Sequence, residues 1–122
     1  MGLLYTIRRL AILRTVVALQ LFAAALQAVF AGQFLAGEDH SVLIHERTGW
    51  VIAAIGIIQV LVAAVKKVPR DRVLPFVMSS VLILIAEFLQ VGTGYGRFLD
   101  VHVPLGALIL AGLAAQLVWV CC

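Results

Sequence analysis

Two histidines stand 57 residues apart in matching surroundings, His45 four residues before Gly49 and His102 four residues before Gly106. Neutral imidazole is the commonest nitrogen ligand for iron, zinc and copper. A glycine one helical turn further on leaves bare backbone where a flat ring system could rest. Sliding the chain along itself by 57 extends the match. Gln33 falls on Gln90, Gly37 on Gly94, Ala54 on Ala111 and Gln59 on Gln116. The shared pattern is Q-x3-G-x7-H-x3-G-x9-Q, and it reads as two related helical hairpins. The third histidine, His40, meets Arg97 in this register and has no counterpart.

These residues need elements to hold them, and the composition says which kind. The 122 residues are 64% hydrophobic and 12% charged, with a mean hydropathy of +1.14. A soluble fold of this length has too little interior for so many aliphatic side chains, whereas lipid solvates apolar surface directly. A helix needs about 20 apolar residues to cross the hydrocarbon. Four stretches meet that requirement, over roughly residues 10–36, 41–66, 72–94 and 100–121, so the chain reads as one all-α, four-helix transmembrane domain. Short connections leave no room for a soluble domain. The basic residues form no aromatic-interleaved face, which argues against nucleic acid.

The placement of charge predicts sidedness. Seven of the nine basic residues lie at the N-terminal end (Arg8, Arg9, Arg14) or around the junction of the second and third spans (Lys66, Lys67, Arg70, Arg72). The other two connections hold only Arg47 and Arg97, beside Glu38, Asp39, Glu46 and Asp100. Both termini are therefore expected on the cytoplasmic side. Arg8-Arg9 and the following apolar run mimic a signal peptide. Cleavage there would leave a span too short to cross, so the run is read as a retained first helix.

Spans 2 and 4 then run parallel, each with its histidine about one turn in from the outer end. At 100° per residue, Gly49, Ile52, Gly56 and Gln59 share a face with His45, and Gly106, Ile109, Leu113 and Gln116 share one with His102. That arrangement suits a b-type haem, whose iron takes axial imidazoles from opposite sides of the macrocycle. One haem b per chain is expected, ligated by His45 and His102. Gly49 and Gly106 would lie under the ring, Gln33 and Gln90 would line the pocket, and Arg47, Arg97 and His40 would stand near the propionates. Asp100 is placed to cap span 4, with Pro104 in its first turn.

The segments Ile44-His45-Glu46-Arg47 followed by Gly49, and Leu89-Gln90-Val91-Gly92-Thr93-Gly94 followed by His102, resemble the histidine regions of heme A synthases. The chain corresponds to one four-helix half of such an enzyme, and it also resembles small four-span bacterial proteins and transmembrane b-type cytochromes. The resemblance implies a bundle that holds haem between its second and fourth helices, in the plasma membrane of a bacterium. Val42 stands where the haem-oxidising half of the family has a carboxylate, and the family's outer-loop cysteine pair is absent. The match therefore favours holding haem over hydroxylating it.

Other signals compete with this reading. Glu87 is the one acid inside an apolar stretch, and intramembrane acids are functional candidates by default. It is a candidate proton carrier, or a neutral carboxyl bonded to a neighbouring helix. Gln20 and Gln27 read as glue between helices. Thr93-Gly94-Tyr95-Gly96 echoes a potassium-channel filter, but it follows a full-length span and reads as a loop. Glu38, Asp39, His40, His45 and Glu46 form a weaker candidate set for a non-haem metal. Two strong nitrogen ligands leave iron no open position, which favours an electron carrier or haem handler over an enzyme, and an oxidoreductase if it is one. A quinone or a redox partner at the outer face would complete a circuit, and a homo-oligomer is compatible with the pattern. The competing function is a cofactor-free small transporter or assembly factor working through Glu87 and the glutamines.

Overall fold

The structure, a computed structural model, describes residues 2–65 and 70–122. Among them the chain forms four helices and no strand: α1 Gly2–Leu35, α2 His40–Val65, α3 Arg70–Tyr95 and α4 Leu99–Cys121. Each contains a stretch long and apolar enough to cross a membrane, namely Leu10–Leu35, His40–Val65, Val73–Tyr95 and Leu99–Cys121. These bounds fall within about a residue of those expected from hydropathy. Lys66 and Lys67, which anchor the expected sidedness, lie outside the described residues.

Helix α1 packs on α2 and α4, and α3 packs on the same two. The four therefore form a ring in chain order, with α2 facing α4 across one diagonal and α1 facing α3 across the other. Short connections make neighbours antiparallel, so the two histidine-bearing helices run in the same direction.

The turns after α1 and after α3 are built alike. After α1, Gly37 N–H donates to Phe34 and Glu38 N–H to Gln33, each at 3.0 Å, around a left-handed Gly37 (φ 99°). After α3, Arg97 N–H donates to Gly94 at 3.1 Å and Phe98 N–H to Thr93 at 3.0 Å, around a left-handed Arg97 (φ 56°). This is the crossed pair of bonds that ends many helices, in which glycine is the usual left-handed residue. Arg97 occupies that position at the strain expected of a side-chain-bearing residue.

The start of α4 departs from expectation. Phe98 occupies the cap position without a side-chain bond, and Asp100 lies inside the first turn. Its carboxylate complements the positive end of the helix instead of capping it. Pro104 falls one turn later than expected, since the helix begins at Leu99.

The surface is apolar and much of the interior is polar. Phe22, Leu82 and Leu108 are each more than 60% exposed in the middle of their helices, where lipid would cover them. Inside, an apolar cluster of Leu13, Val17, Ala63, Phe76 and Val120 fills one end, and Ala24, Ile52, Ile109 and Leu113 fill the middle. Between them lie buried Gln20, Gln59, Ser80, Glu87 and Gln116. Without water in hydrocarbon these polar groups must find one another, and they do so across both diagonals and, through Ser80, between neighbouring helices.

Candidate functional site

His45 and His102 meet on the α2–α4 diagonal, with ring centres 5.9 Å apart and planes inclined at 58°. Each Nδ1 is engaged by a backbone carbonyl. That of His45 is 3.1 Å from the oxygen of Gln27, and that of His102 is 2.8 Å from the oxygen of Gln90. A carbonyl can only accept, so both Nδ1 atoms carry a proton, and in the neutral imidazole this leaves the lone pair on Nε2. Metal-ligating histidines are oriented by this same outer bond.

The carbonyls come from α1 and α3, the other diagonal pair. Gln27 also donates through Nε2 to Thr48 Oγ1, which is itself tied to the carbonyl of Ile44 at 2.6 Å. Thr93, bonded to Leu89 O at 2.9 Å, stands 3.4 Å from His102 Nδ1. Gly94 makes the close approach at α3 feasible. A Cβ there would come within 2.9 Å of the His102 ring.

The two rings stand in the wall of a cavity of about 360 Å³ that draws on all four helices. Gly49, Gly106, Gln90 and Arg97 line it. Gly49 is open, with only a Val91 methyl at 4.0 Å from the position of an added Cβ. Gly106 is not bare, because the Gln90 amide lies over it, 2.8 Å from where a Cβ would sit. Glu87 reaches the same cavity deeper in the bundle.

Three expected residues stand apart from it. Gln33 is exposed, and it accepts a 3.2 Å bond from Ser41. His40 is the exposed first residue of α2, and Arg47 is exposed on the same helix. Among the described residues, no three of His, Cys, Asp and Glu gather as a metal-holding group. The acidic set of Glu38, Asp39, His40, His45 and Glu46 therefore does not converge. Glu46 instead accepts a 2.5 Å bond from Tyr95, whose hydroxyl lies 3.3 Å from Trp50 Nε1.

Gln27 is the residue that sequence reasoning assigned elsewhere. It was legible only as glue, because its contribution to His45 is a backbone carbonyl, which every residue carries. The register also differs between the two helix pairs. His45 and His102 meet at an offset of 57, as do Gln59 and Gln116, joined by a 2.8 Å bond. The left-handed residues that end α1 and α3 are Gly37 and Arg97, an offset of 60. Matching Gln33 to Gln90 carried the first offset into helices that do not share it.

Whether these residues fit a bis-histidine haem can be judged from the geometry. Two imidazoles on opposite sides of one metal ion place their ring centres roughly 6 Å apart, given metal–nitrogen bonds of about 2 Å. The 5.9 Å separation matches, the free lone pairs are on Nε2, and the wall is largely apolar. The Gln90 amide would have to leave Gly106. With the amide moved, the donor types and their spacing are compatible with the group. No family model, curated protein or solved structure matches the chain, so its likeness to heme A synthases rests on the two histidine motifs alone.

Proposed function

We propose that this protein is a membrane-embedded b-type cytochrome that holds one haem b between His45 and His102. The observation that carries the reading is the pair of facing imidazoles, each with Nδ1 fixed by a carbonyl and Nε2 left free. Haem iron supplies one-electron transfer when bound. The protein's own part is to hold both rings in the correct tautomer, exclude water with an apolar wall, and bring Arg97 to the cavity mouth for an anionic group. Two nitrogen ligands from His45 and His102 would leave the iron no open position for oxygen chemistry. Electron transfer with a quinol or a partner protein, or the handling of haem itself, fits that constraint better than catalysis.

The arrangement of two hairpins, each bringing one histidine to the same depth, belongs to this proposal. So does its orientation: a bacterial plasma membrane, both termini in the cytoplasm, and the histidine end outermost. The excess of Lys and Arg at the N-terminal end of the chain (Arg8, Arg9, Arg14) and over residues 66–72 supports that sidedness.

An absorption spectrum of the protein purified from membranes tests the reading. A sharp Soret band, with a narrow α-band on reduction, is expected from wild type and is lost in His45→Ala and in His102→Ala. Colourless protein from cells supplied with haem would reject it. The competing reading, a cofactor-free transporter or assembly factor, draws support from the buried Glu87 and its glutamine neighbours. It predicts colourless protein whose function survives loss of either histidine.

A further inference from the structure

Four buried side-chain atoms have no hydrogen-bond partner among the described residues: Gln20 Oε1, Gln59 Oε1, Glu87 Oε2 and Gln90 Oε1. All four are acceptors. Buried polar groups in folded proteins are nearly always paired, so each exception needs an explanation. Poor packing would strand amide N–H groups as readily as oxygens. A set made only of oxygens calls for something that brings positive charge or protons.

Glu87 supplies the one carboxylate of the set and is 3% exposed. Gln20 donates through Nε2 to Glu87 Oε1 at 2.6 Å, which leaves the amide oxygen and the second carboxylate oxygen unpaired in the same pair of side chains. Glu87 Oε2 lies against Gly56, where an added Cβ would run into it. Gln59 follows Gly56 by about one turn on the same buried face of α2. It donates away from this level, to Ser80 at 2.9 Å and Gln116 at 2.8 Å, and so keeps its own oxygen free.

No Lys, Arg or His among the described residues bonds to this carboxylate, so its charge has no partner in the bundle. The titratable or charged groups sharing its cavity are His45 and Glu46 from α2, Tyr95 from α3, His102 from α4, and Arg97 in the last connection. The part of α1 that lines the cavity brings none.

We propose that Glu87, with the amide oxygens of Gln20 and Gln59, binds one small monovalent cation, a proton or a sodium ion, in the middle of the bundle. Hard cations take oxygen ligands, and the site offers a carboxylate with neutral amides around it. One bound unit charge cancels the single negative charge, whereas a divalent ion would leave an excess in hydrocarbon. When sodium replaces the proton, the carboxyl releases one H⁺ as it accepts one Na⁺, so charge balances. Access runs down the cavity that Glu87 lines. The proposal does not rest on the histidines holding haem.

The test compares wild type with Glu87→Gln, both purified in micelles. Unfolding midpoints are followed from mildly acidic to mildly alkaline pH, in sodium chloride or in choline chloride of equal ionic strength. For a proton site, the wild-type midpoint moves with pH relative to the variant and is indifferent to sodium. For a sodium site, sodium raises the wild-type midpoint and leaves the variant unmoved. Identical responses of both proteins to pH and to sodium would overturn the proposal. Should the variant fail to fold, carbodiimide labelling of Glu87 in wild type decides. The labelling rate should fall several-fold with rising pH, or with sodium but not choline; a rate unaffected by any of these also overturns it.

Discussion

The backbone oxygen of Gln90 accepts the Nδ1 proton of His102 at 2.8 Å, while the side chain of the same Gln90 lies over Gly106, one turn beyond that histidine. One residue thus sets the tautomer of a candidate ligand and covers the surface on which a bound ring would rest. The first task belongs to the main chain and survives any substitution; the second belongs to the amide alone.

Gln90→Ala should therefore keep His102 in place and uncover Gly106. Haem titrated into the purified apoprotein should bind the variant at least as tightly as wild type. Gly106→Leu puts a branched side chain on the same surface and should weaken binding by roughly tenfold or more, about 1.4 kcal/mol. Equal weakening by both variants would mean that the Gln90 amide contacts the ring and is not displaced by it.

Gly94→Ala should act on the ring itself. A Cβ there would come within 2.9 Å of His102 Cε1 and 3.2 Å of Nδ1. An imidazole pinned to Gln90 cannot yield like the tip of a flexible chain, so it must turn and lose that bond. Loss of such an outer contact typically costs 10–100-fold in metal affinity. Haem binding should fall in about that range. Gly92→Ala, one turn short of the turn residues, meets nothing within 4 Å and should bind as wild type does.

The four spans were legible because each is a long apolar run, and hydrocarbon thickness fixes how long such a run must be. The meeting of His45 and His102 was legible because scarce residue types recur at one spacing on helices that run in the same direction. The rest was hidden for identifiable reasons. The carbonyls of Gln27 and Gln90 carry no side-chain signature. Pocket residues inferred by extending the offset of 57 into α1 and α3 included Gln33, which lies exposed beside Ser41. The role of Gly56 depends on a side chain from α3, which no local pattern encodes.

Gly56 gives a prediction about stability. A methyl group there would collide with the Glu87 carboxylate and stand 3.0 Å from Gln20 Nε2 and 3.1 Å from Leu84 Cδ1. Overpacking of this kind typically costs about 1–3 kcal/mol. Gly56→Ala should lower the denaturant midpoint in micelles accordingly. Because the clash is shared with Glu87, Gly56→Ala combined with Glu87→Ala should lose less than the sum of the single changes, by about 0.5 kcal/mol or more. Strict additivity would mean that the methyl group disturbs α2 by another route.

The inner polar layer gives a second energetic test. Gln59 bonds Ser80 and Gln116, and Gln116 bonds Ser79 at 2.8 Å and Ser80 at 3.2 Å. Replacing one glutamine by leucine leaves partners without bonds, whereas replacing both removes the pair together. The coupling energy from Gln59→Leu, Gln116→Leu and the double variant should fall at about 0.6–1.7 kcal/mol, the range of side-chain bonds between membrane helices. No coupling would mean that the serines re-pair with whichever glutamine remains.

The proposed sidedness can be read from Cys121 and Cys122, which are exposed free thiols and the only cysteines in the chain. With the end of α4 in the cytoplasm, a membrane-impermeant maleimide should label inverted vesicles and leave right-side-out vesicles unlabelled until they are permeabilised. His102 lies toward the opposite end of the same helix, 19 residues away in sequence from Cys121, with His45 of α2 beside it. At 1.5 Å per residue the separation is about 28 Å, close to the hydrocarbon thickness. Labelling of right-side-out vesicles would therefore invert the whole proposal and put the histidines, with any haem they hold, at the cytoplasmic face.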